Sequence, residues 1–244
     1  MIEYRRLREK HSILELCKTP ELAAQVTMQP IDRFDLDAAI IFADILLPLE
    51  PMGLSLEFAE GEGPIIHNPV RDRAAVDRLK VMDDGGLQYV MDAISLTRKT
   101  LAGRVPLIGF AGAPFTLASY AIEGGSSRNY IHTKQMMYGE PEVWHRLMDT
   151  FARVITGYLR RQIKAGAQAV QLFDSWVGCL SAGDYAEYVM PHVQLIFDGL
   201  KHEGVPLIHF GTGTTAILKS MRQAGGDVIG IDWRIPLDEA WAMV

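Results

Sequence analysis

The sequence predicts an α/β protein built on a parallel β-sheet, because short apolar segments alternate with helical segments along the chain. Five segments have the length and composition of strands, near residues 38, 105, 169, 205 and 228. Each is rich in β-branched residues and is followed by helical sequence, which favours parallel strands joined by right-handed crossovers. A (β/α)8 barrel fits this alternation but needs eight strands, so about five of the eight are accounted for.

Composition indicates an ordinary globular protein with one domain. The chain has 244 residues, of which 48% are hydrophobic and 22% are charged, as in typical soluble domains. It contains no internal repeat and no low-complexity linker, so we expect residues 1–244 to form a single domain. The net charge of −6 argues against a general nucleic-acid-binding protein, which usually carries a basic patch.

Localisation signals are sparse, and the cytoplasm is the compartment that we expect. No apolar run approaches the roughly 18 residues that span a membrane. Residues 1–10 are charged throughout and lack the apolar core of a signal peptide. Cys17 and Cys179 are the only cysteines, too few for a disulfide scaffold or a four-cysteine zinc site.

The first half of the chain is expected to carry two helical regions and one strand of the sheet. The predicted order is a helix over 15–34, a strand over 38–42, a Pro/Gly-punctuated stretch over 49–71 and a helical region over 76–101. The stretch contains Gly61-Glu-Gly-Pro64 and indicates loops with a hairpin rather than a domain boundary. Gly85-Gly86 is expected to break the second helical region.

The second half is expected to carry the other four strands. The predicted order is a strand over 105–109, a small-residue loop over 110–127, a helix over 141–166, a strand over 169–173, a helix over 182–201, a strand over 205–209, a helix over 215–224 and a strand over 228–231. The helix over 141–166 is the clearest, because its apolar residues recur at helical spacing. Because barrel closure needs eight strands, we expect an open sheet with exposed apolar edges.

Polar side chains follow three of the predicted strands. Asp44 ends the segment Ile40-Ile-Phe-Ala-Asp44, Ser175 ends Val170-Gln-Leu-Phe-Asp-Ser175, and Tyr120 lies in the small-residue loop after the strand near residue 105. Parallel α/β folds build their active sites at the carboxyl ends of strands. We therefore expect Asp44, Tyr120 and Ser175 to face one cavity.

These three segments together resemble the uroporphyrinogen decarboxylase family, enzymes that remove carboxyl groups from a cyclic tetrapyrrole. The family motif F-[SA]-D-I-L is present as Phe42-Ala-Asp-Ile-Leu46. Tyr120 lies in the family pattern T-L-x-x-Y-x-x-E-G-G, and Ser175 lies in Phe173-Asp-Ser-Trp176. The resemblance covers the middle of the family pattern almost without gaps and implies an incomplete (β/α)8 TIM barrel.

The resemblance implies a role for each of these residues. Asp44 would accept hydrogen bonds from the pyrrole N–H groups at the centre of the macrocycle, although an aspartate here is also a good helix N-cap. Tyr120 would contact substrate, with a buried core tyrosine as the alternative. Ser175 would bind a substrate carboxylate, with an N-cap as the alternative; no G-x-S-x-G elbow makes it a nucleophile.

Three further residues are assigned to the substrate site. Phe42 and Phe173 belong to the same motifs as Asp44 and Ser175. Arg8 aligns with a family arginine that helps to bind propionate groups, although most single arginines are solvated surface residues. Ile13 and Leu14 stand where the family commonly has phenylalanine near the substrate, a difference that we expect to affect packing.

The resemblance implies a lyase that needs no cofactor and no metal. The reaction would be the decarboxylation of the four acetate side chains of uroporphyrinogen III, giving coproporphyrinogen III in porphyrin and haem biosynthesis. The implied partners are this small-molecule substrate and, when the protein is full length, a second copy in a homodimer.

Two family segments have no counterpart in the sequence. Family members begin with a strand and an R-Q-A-G-R-Y motif before residues similar to Glu3-Tyr-Arg5. They also continue past residues similar to Gly230-Ile-Asp-Trp-Arg234 to a late histidine. We therefore expect a barrel without its first and last strands. Because the motif's arginines bind substrate carboxylates, we expect this chain alone to be nearly inactive.

Two other functions are alternatives. A related barrel family comprises zinc-dependent methyltransferases that act with corrinoid proteins and use a histidine with a cysteine two residues later. Here Gly211 occupies that place after His209, which disfavours a thiolate zinc site. A non-catalytic tetrapyrrole-binding fragment would bind ligand without releasing CO2. Gly211-Thr-Gly-Thr214 is not a phosphate-binding loop, because it lacks the required lysine.

Overall fold

The computed structural model describes residues 1–59, 63–81 and 86–244 and contains seven strands within them. The strands are β1 (Ala39–Ile40), β2 (Leu56–Ala59), β3 (Gly63–Ile66), β4 (Leu107–Gly112), β5 (Ala169–Asp174), β6 (Leu207–Gly211) and β7 (Val228–Gly230). The helices are α1 (Ile2–Arg8), α2 (Ile13–Lys18), α3 (Pro20–Arg33), α4 (Arg73–Arg78), α5 (Gln88–Leu101), α6 (Pro114–Glu123), α7 (Ile131–Gly139), α8 (Pro141–Ala165), α9 (Ala182–Tyr188), α10 (Met190–Leu200), α11 (Leu218–Ala224) and α12 (Leu237–Met243). Single 3-10 turns lie at Leu47–Leu49, Val177–Cys179 and Thr215–Ile217.

Five strands form a parallel sheet in the order β1-β4-β5-β6-β7. This order confirms the five predicted strands and their parallel arrangement. The first strand is shorter than predicted, with two residues instead of the five over 38–42. The Ile41 N–H makes the last hydrogen bond to β4, at 3.0 Å from the Ile108 carbonyl, and the Phe42 N–H donates to the Thr27 hydroxyl on α3 at 2.8 Å.

The sheet is open within the described residues. β1 and β7 each pair with one neighbour among those residues. Ile40 on β1 is 49% exposed and Val228 on β7 is 48% exposed, so both outer strands carry apolar side chains in contact with solvent. The described sheet therefore agrees with the expectation of an open sheet with apolar edges.

A hairpin of β2 and β3 fills part of the predicted excursion over 49–71. The segment after β3 contacts the end of α6, where the Ile66 N–H donates to the Gly124 carbonyl and the Val70 N–H donates to the Ala121 carbonyl, both at 2.8 Å. The Arg71 Nε–H donates to the Ile122 carbonyl at 3.2 Å. Of the predicted glycine turn, Gly61 and Glu62 lie outside the described residues.

The prediction of a loop over 110–127 was wrong. β4 continues to Gly112, and α6 begins at Pro114. Proline suits the first turn of a helix because its missing N–H would have no partner there. α6 ends at Gly124, whose φ of 86° is the left-handed conformation in which glycine commonly terminates helices. Tyr120 therefore lies on a helix, one turn before its end.

α8 matches the predicted helix over 141–166 closely and forms the centre of the helical layer. Trp144, Phe151 and Tyr158 are each at most 1% exposed, and they recur every seven residues on the face that packs inward. The helix ends at Gly166, which has a φ of 118°. The prediction of this helix is confirmed. It could be made because the apolar residues of the buried face recur at helical spacing in the sequence.

Two predicted helices are divided in the structure, and three helices besides α6 were not predicted. The helix over 15–34 separates into α2 and α3 at Thr19-Pro20, and the helix over 182–201 separates into α9 and α10 at Val189. Both divisions precede a proline in the first turn of the next helix. α1, α7 and α12 were not predicted. Of the predicted break at Gly85-Gly86, Gly85 lies outside the described residues, and Gly86 lies between α4 and α5. Among the described helices, none combines the length and apolar character required to cross a membrane.

Candidate active site

A cavity of about 590 Å³ opens beside the carboxyl ends of β1, β4 and β5. Four of the predicted site residues are among those that line it: Phe42, Asp44, Phe173 and Ser175. The chain brings them together because each follows or ends one of three neighbouring parallel strands. The structure thus places the residues of two separate motifs on one surface.

Aromatic rings form much of the cavity wall. The rings of Phe110 and Phe173 meet edge to face with centroids 5.4 Å apart, and Phe173 meets Phe210 in the same way at 5.6 Å. Tyr4 of α1 packs against Phe42 at 5.9 Å. Edge-to-face contacts of this kind hold rings rigidly. Sequence analysis did not assign Phe110, Phe210 or Tyr4, although alternation of Phe residues on adjacent strands was a usable signal.

Asp44 is the carboxylate of this cavity. It is half-buried, and its Oδ1 accepts a hydrogen bond from the Leu46 N–H at 2.8 Å. Burial raises the pKa of the Asp44 carboxyl above its ordinary value, and the Leu46 bond opposes that shift. Asp44 is therefore not a helix N-cap, because the N-cap of the following 3-10 turn is Leu46; the bond to Leu46 closes a local turn instead. It engages one oxygen and leaves the other available to a ligand in the cavity.

Cys17 lies close enough to Asp44 to respond to its charge. Burial, reinforced by the Asp44 carboxylate, raises the pKa of the Cys17 thiol to about 12. The thiolate is the reactive form of cysteine. Cys17 therefore remains a protonated, apolar core residue, and the chemistry of the cavity rests on Asp44.

Ser175 follows β5 directly and lines the cavity, while its neighbour Asp174 faces the opposite way, toward α6. Asp174 is completely buried, and its Oδ1 accepts a hydrogen bond from the Thr116 hydroxyl at 2.8 Å. Burial raises the pKa of Asp174 to about 7, despite the opposing effect of the bonds from Thr116. The Ser175 carbonyl accepts a hydrogen bond from the Thr212 hydroxyl, which fixes the turn after β5.

Tyr120 lies beside the cavity rather than among the residues that line it. Its ring packs on Trp176, with centroids 5.9 Å apart. Burial raises the pKa of Tyr120, the neighbouring Trp176 side chain opposes that shift, and the Asp44 carboxylate adds to it. Tyr120, Trp176 and Asp44 are therefore close neighbours at the same end of the sheet.

Arg8 is not among the residues that line the cavity. It is half-buried near the end of α1, and its guanidinium donates to the His11 carbonyl at 2.6 Å. α1 instead contributes Met1 and Tyr4 to the cavity wall. The role of Arg8 toward propionate groups stays a prediction.

The donor set does not resemble a metal centre. Within residues 1–59, 63–81 and 86–244, no three or more His, Cys, Asp or Glu side chains converge in a way that could hold a metal ion. The polar side chains that line the cavity are the Asp44 carboxylate, the hydroxyls of Tyr4, Thr27 and Ser175, and the Gln29 amide.

Fold and site together define a class of protein. A parallel sheet whose strand ends carry a carboxylate, a serine and aromatic rings is the arrangement of an α/β enzyme with a binding site at the carboxyl ends of its strands.

Comparison with known proteins identifies the family. The family model described as uroporphyrinogen decarboxylase (URO-D) matches residues 1–244. Uroporphyrinogen decarboxylases from Sorangium cellulosum and Carboxydothermus hydrogenoformans are 61% and 56% identical to this chain over 245 aligned residues. Each alignment covers all of this chain and 70% of the relative. The chain belongs to the uroporphyrinogen decarboxylase family, as the sequence motifs predicted.

A solved structure supports the fold. A methyltransferase from Methanosarcina mazei matches with a TM-score of 0.67 and 16% sequence identity, over 94% of this chain and 85% of that chain. At this identity the likeness concerns the fold alone, and it agrees with the predicted barrel-type architecture. It does not favour the alternative of a methyltransferase.

Proposed function

We propose that this chain is a carboxy-lyase that decarboxylates the four acetate side chains of uroporphyrinogen III to give coproporphyrinogen III. The identities of 50–61% to several curated uroporphyrinogen decarboxylases support this function. The observation that carries the mechanism is the position of Asp44, a half-buried carboxylate in an aromatic cavity at the carboxyl ends of the strands.

The reaction needs a place for the electron pair of the bond that breaks. Protonation of the pyrrole at a ring carbon makes the ring cationic, so the ring can accept the pair when the acetate loses CO2. A proton then replaces CO2 on the methylene carbon, the ring loses the proton that it had gained at carbon, and each acetate arm becomes a methyl group. The substrate serves as its own electron sink, so we propose no cofactor and no metal.

Asp44 is the group that we assign to the cationic ring. A fixed carboxylate beside the pyrrole N–H groups stabilises positive charge that develops in the transition state more than it stabilises the neutral ground state. The Leu46 N–H, 2.8 Å from Oδ1, holds the carboxylate in place before the substrate arrives. Preorganisation of this kind avoids a rearrangement during the reaction.

The other assigned residues bind the substrate. Phe42 and Phe173 contribute apolar wall to the cavity, and Ser175 presents a hydroxyl to a substrate carboxylate. We assign Tyr120 to the same task from its position between Trp176 and Asp44. Arg8 is assigned to a propionate group on the family pattern alone.

We also propose a cytoplasmic homodimer. Both cysteines are free thiols, which suits a reducing compartment. Exposed apolar side chains on the outer strands, such as Ile40 and Val228, offer surface for association.

Replacing Asp44 with asparagine tests the mechanism, because Asn keeps the size and removes the charge. We expect turnover to fall on the order of 10²-fold or more, the scale for one preorganised electrostatic group. Tyr120→Phe, which deletes one hydroxyl, should cost less. The assay is anaerobic CO2 release from uroporphyrinogen, measured on this chain and on a chimera with the remaining segments of the Sorangium cellulosum relative.

Asp198→Asn is the matched control, because Asp198 is an exposed carboxylate on α10 and should tolerate the same change. Activity of Asp44→Asn within a few-fold of the parent would reduce Asp44 to a structural cap. A chimera that binds the tetrapyrrole without releasing CO2 would instead favour a binding protein.

A further inference from the structure

The turn that carries Ser175 is held by two neighbouring segments of the chain. After β6, the Thr212 hydroxyl donates to the Ser175 carbonyl, and the Thr212 N–H donates to the Asp174 carbonyl at 3.4 Å. On the other side, the Thr116 hydroxyl of α6 contacts the residues immediately before and after Ser175, which are Asp174 and Trp176. The place of Ser175 in the cavity wall therefore depends on how its two neighbours are held.

A single hydroxyl makes both contacts on the α6 side. The Thr116 hydroxyl donates its one hydrogen to Asp174 Oδ1 at 2.8 Å and accepts the backbone N–H of Trp176 on a lone pair at 3.3 Å. Thr116 and Asp174 are both completely buried, so bulk water does not compete for these bonds. This pair of hydrogen bonds, the Thr116 bridge, joins the two sides of the Ser175 turn through one oxygen atom.

The place of Thr116 on its helix explains why its hydroxyl reaches the sheet. Ser119, on the same helix, donates instead to the Phe115 carbonyl four residues earlier, at 2.8 Å, as helical hydroxyls commonly do. Thr116 lies in the first turn of α6, which begins at Pro114, so the helix has no carbonyl four residues before it. Its hydroxyl is therefore available to a different element, the end of β5.

We propose that Thr116 is a positioning residue that holds Ser175 in place to bind a substrate carboxylate. The proposal rests on the proposed function, which assigns Ser175 to a carboxylate of the tetrapyrrole. A hydrogen bond weakens steeply when its donor is displaced or badly angled. Because the Thr116 bridge fixes the residues on both sides of Ser175, it sets the position from which the Ser175 hydroxyl donates.

A double-mutant cycle in ligand affinity tests whether Thr116 acts through Ser175. The probe is uroporphyrin, the oxidised macrocycle with the same carboxylate arms as the proposed substrate, and fluorescence titration of the 244-residue chain gives dissociation constants. We expect Thr116→Val, which keeps the shape and removes the hydroxyl, to weaken binding about three- to tenfold, the worth of one net hydrogen bond. Ser175→Ala should weaken binding at least as much. In the Ser175→Ala background, Thr116→Val should add less than about twofold, because the hydroxyl that it displaces is already absent.

Two further variants control for the loss of a buried hydroxyl as such. Thr116→Ser keeps the hydroxyl and should bind uroporphyrin like the parent. Thr150→Val makes the same change at a buried threonine of α8, whose hydroxyl donates to the Arg146 carbonyl at 2.9 Å and which does not line the cavity. It should also bind like the parent. If Thr116→Val does not fold, Thr116→Ala removes the same hydroxyl and takes its place in the cycle.

Amide hydrogen exchange, followed by NMR, tests the Thr116 bridge without a ligand. The Trp176 N–H should exchange about three- to tenfold faster in Thr116→Val, because its acceptor is gone, and at the parent rate in Thr116→Ser. The Ala113 N–H donates to the Phe173 carbonyl at 2.8 Å, also between the start of α6 and the end of β5. It should exchange at the parent rate in both variants, since its bond does not involve the Thr116 hydroxyl.

The two measurements fail separately. Equal losses of affinity on Thr116→Val with and without the Ser175 hydroxyl overturn the positioning role, because Thr116 would then act on the fold in general. An unchanged exchange rate at Trp176, or equal acceleration at Ala113, overturns the Thr116 bridge. A parent chain that binds no uroporphyrin contradicts the proposed function and the role toward a carboxylate, while the exchange of the Trp176 N–H still decides whether the bridge exists.

Discussion

The burial of the Asp174 carboxyl couples the stability of the fold to pH. Its carboxyl has no exposed surface, and its pKa is raised to about 7 from an ordinary 3.8 by burial. Between about pH 4 and 7 the unfolded chain therefore loses a proton that the folded chain keeps. Because the folded state binds more protons in this window, its stability falls as pH rises and the loss is complete above pH 7.

Asp174→Asn removes this titration and should change the pH dependence of stability. The shift is about three pH units, each worth about 1.4 kcal/mol, so the parent should lose up to about 4 kcal/mol relative to the variant between pH 4 and 8. Urea unfolding across this range measures the difference. Asp198→Asn, on the surface of α10, should give a difference that does not depend on pH. A flat difference for Asp174→Asn as well would mean that Asp174 is ionised throughout.

At the scale of single residues, the sequence allowed us to predict residues that line the cavity but not the residues that hold them in place. Asp44 and Ser175 follow recognisable strands, so their place in the cavity could be predicted. The role of Thr116 could not be predicted, because its hydrogen-bond partner Asp174 lies 58 residues away along the chain. No local pattern reveals a hydrogen bond between distant residues, and the burial of Asp174 also depends on the complete fold.

The contrast between α6 and α8 shows why one helix could be predicted and the other could not. α8 has a buried face and an exposed face, so its apolar residues recur at helical spacing. All residues of α6 except Tyr120 and Glu123 are buried, so the sequence shows no alternation of apolar and polar faces. The hydroxyl residues of this segment were interpreted as part of a loop, whereas Thr116 and Ser119 lie within the helix and donate to Asp174 and to the Phe115 carbonyl.

Gln162 of α8 joins that helix to the sheet. Its side-chain oxygen accepts the Phe110 N–H at 2.8 Å, and its side-chain nitrogen donates to the Phe110 carbonyl at 2.7 Å. Only two residues of β4, Leu107 and Ile108, pair with β1. Phe110 lies beyond them, and the Gln162 side-chain amide takes the place of a strand partner for the backbone N–H and carbonyl of Phe110. An added Cβ at Gly109 would collide with this amide, which explains the small residue there.

Gln162→Leu should destabilise the protein by about 2–6 kcal/mol, because it leaves two buried backbone groups without partners at about 1–3 kcal/mol each. Urea unfolding measures the loss as a lower midpoint with an unchanged slope. Gln223→Leu, the same change at an exposed position of α11, should alter stability by less than about 0.5 kcal/mol. Equal effects of the two variants would contradict the role of Gln162.

At the scale of the whole molecule, the three most exposed large apolar side chains of the described residues follow one outer strand of the sheet. Beyond β7, Trp233, Leu237 and Trp241 are 85%, 67% and 77% exposed. Unpaired strand edges and exposed apolar groups promote association between chains. The open sheet, predicted from the number of strands, therefore has a consequence for behaviour in solution.

We expect this chain to associate as its concentration rises, and Leu237→Glu combined with Trp241→Glu should reduce the association. Charged residues at an exposed edge oppose contact between chains. Light scattering across a concentration series measures the effect. Leu195→Glu alters a leucine of α10 that is 54% exposed and should change little. A parent chain that stays monomeric and melts cooperatively at high temperature would contradict this expectation.

The hydrogen bonds between the segment after β3 and the end of α6 also bear on how the molecule folds. The last carbonyls of a helix have no partners within it, and those of α6 are met by residues about fifty positions earlier, such as Arg71 for Ile122. A contact at that separation forms only after a long loop has closed, with its entropic cost. The placement of Tyr120, one turn from that end, therefore depends on a contact between segments about fifty residues apart and not on the helix alone.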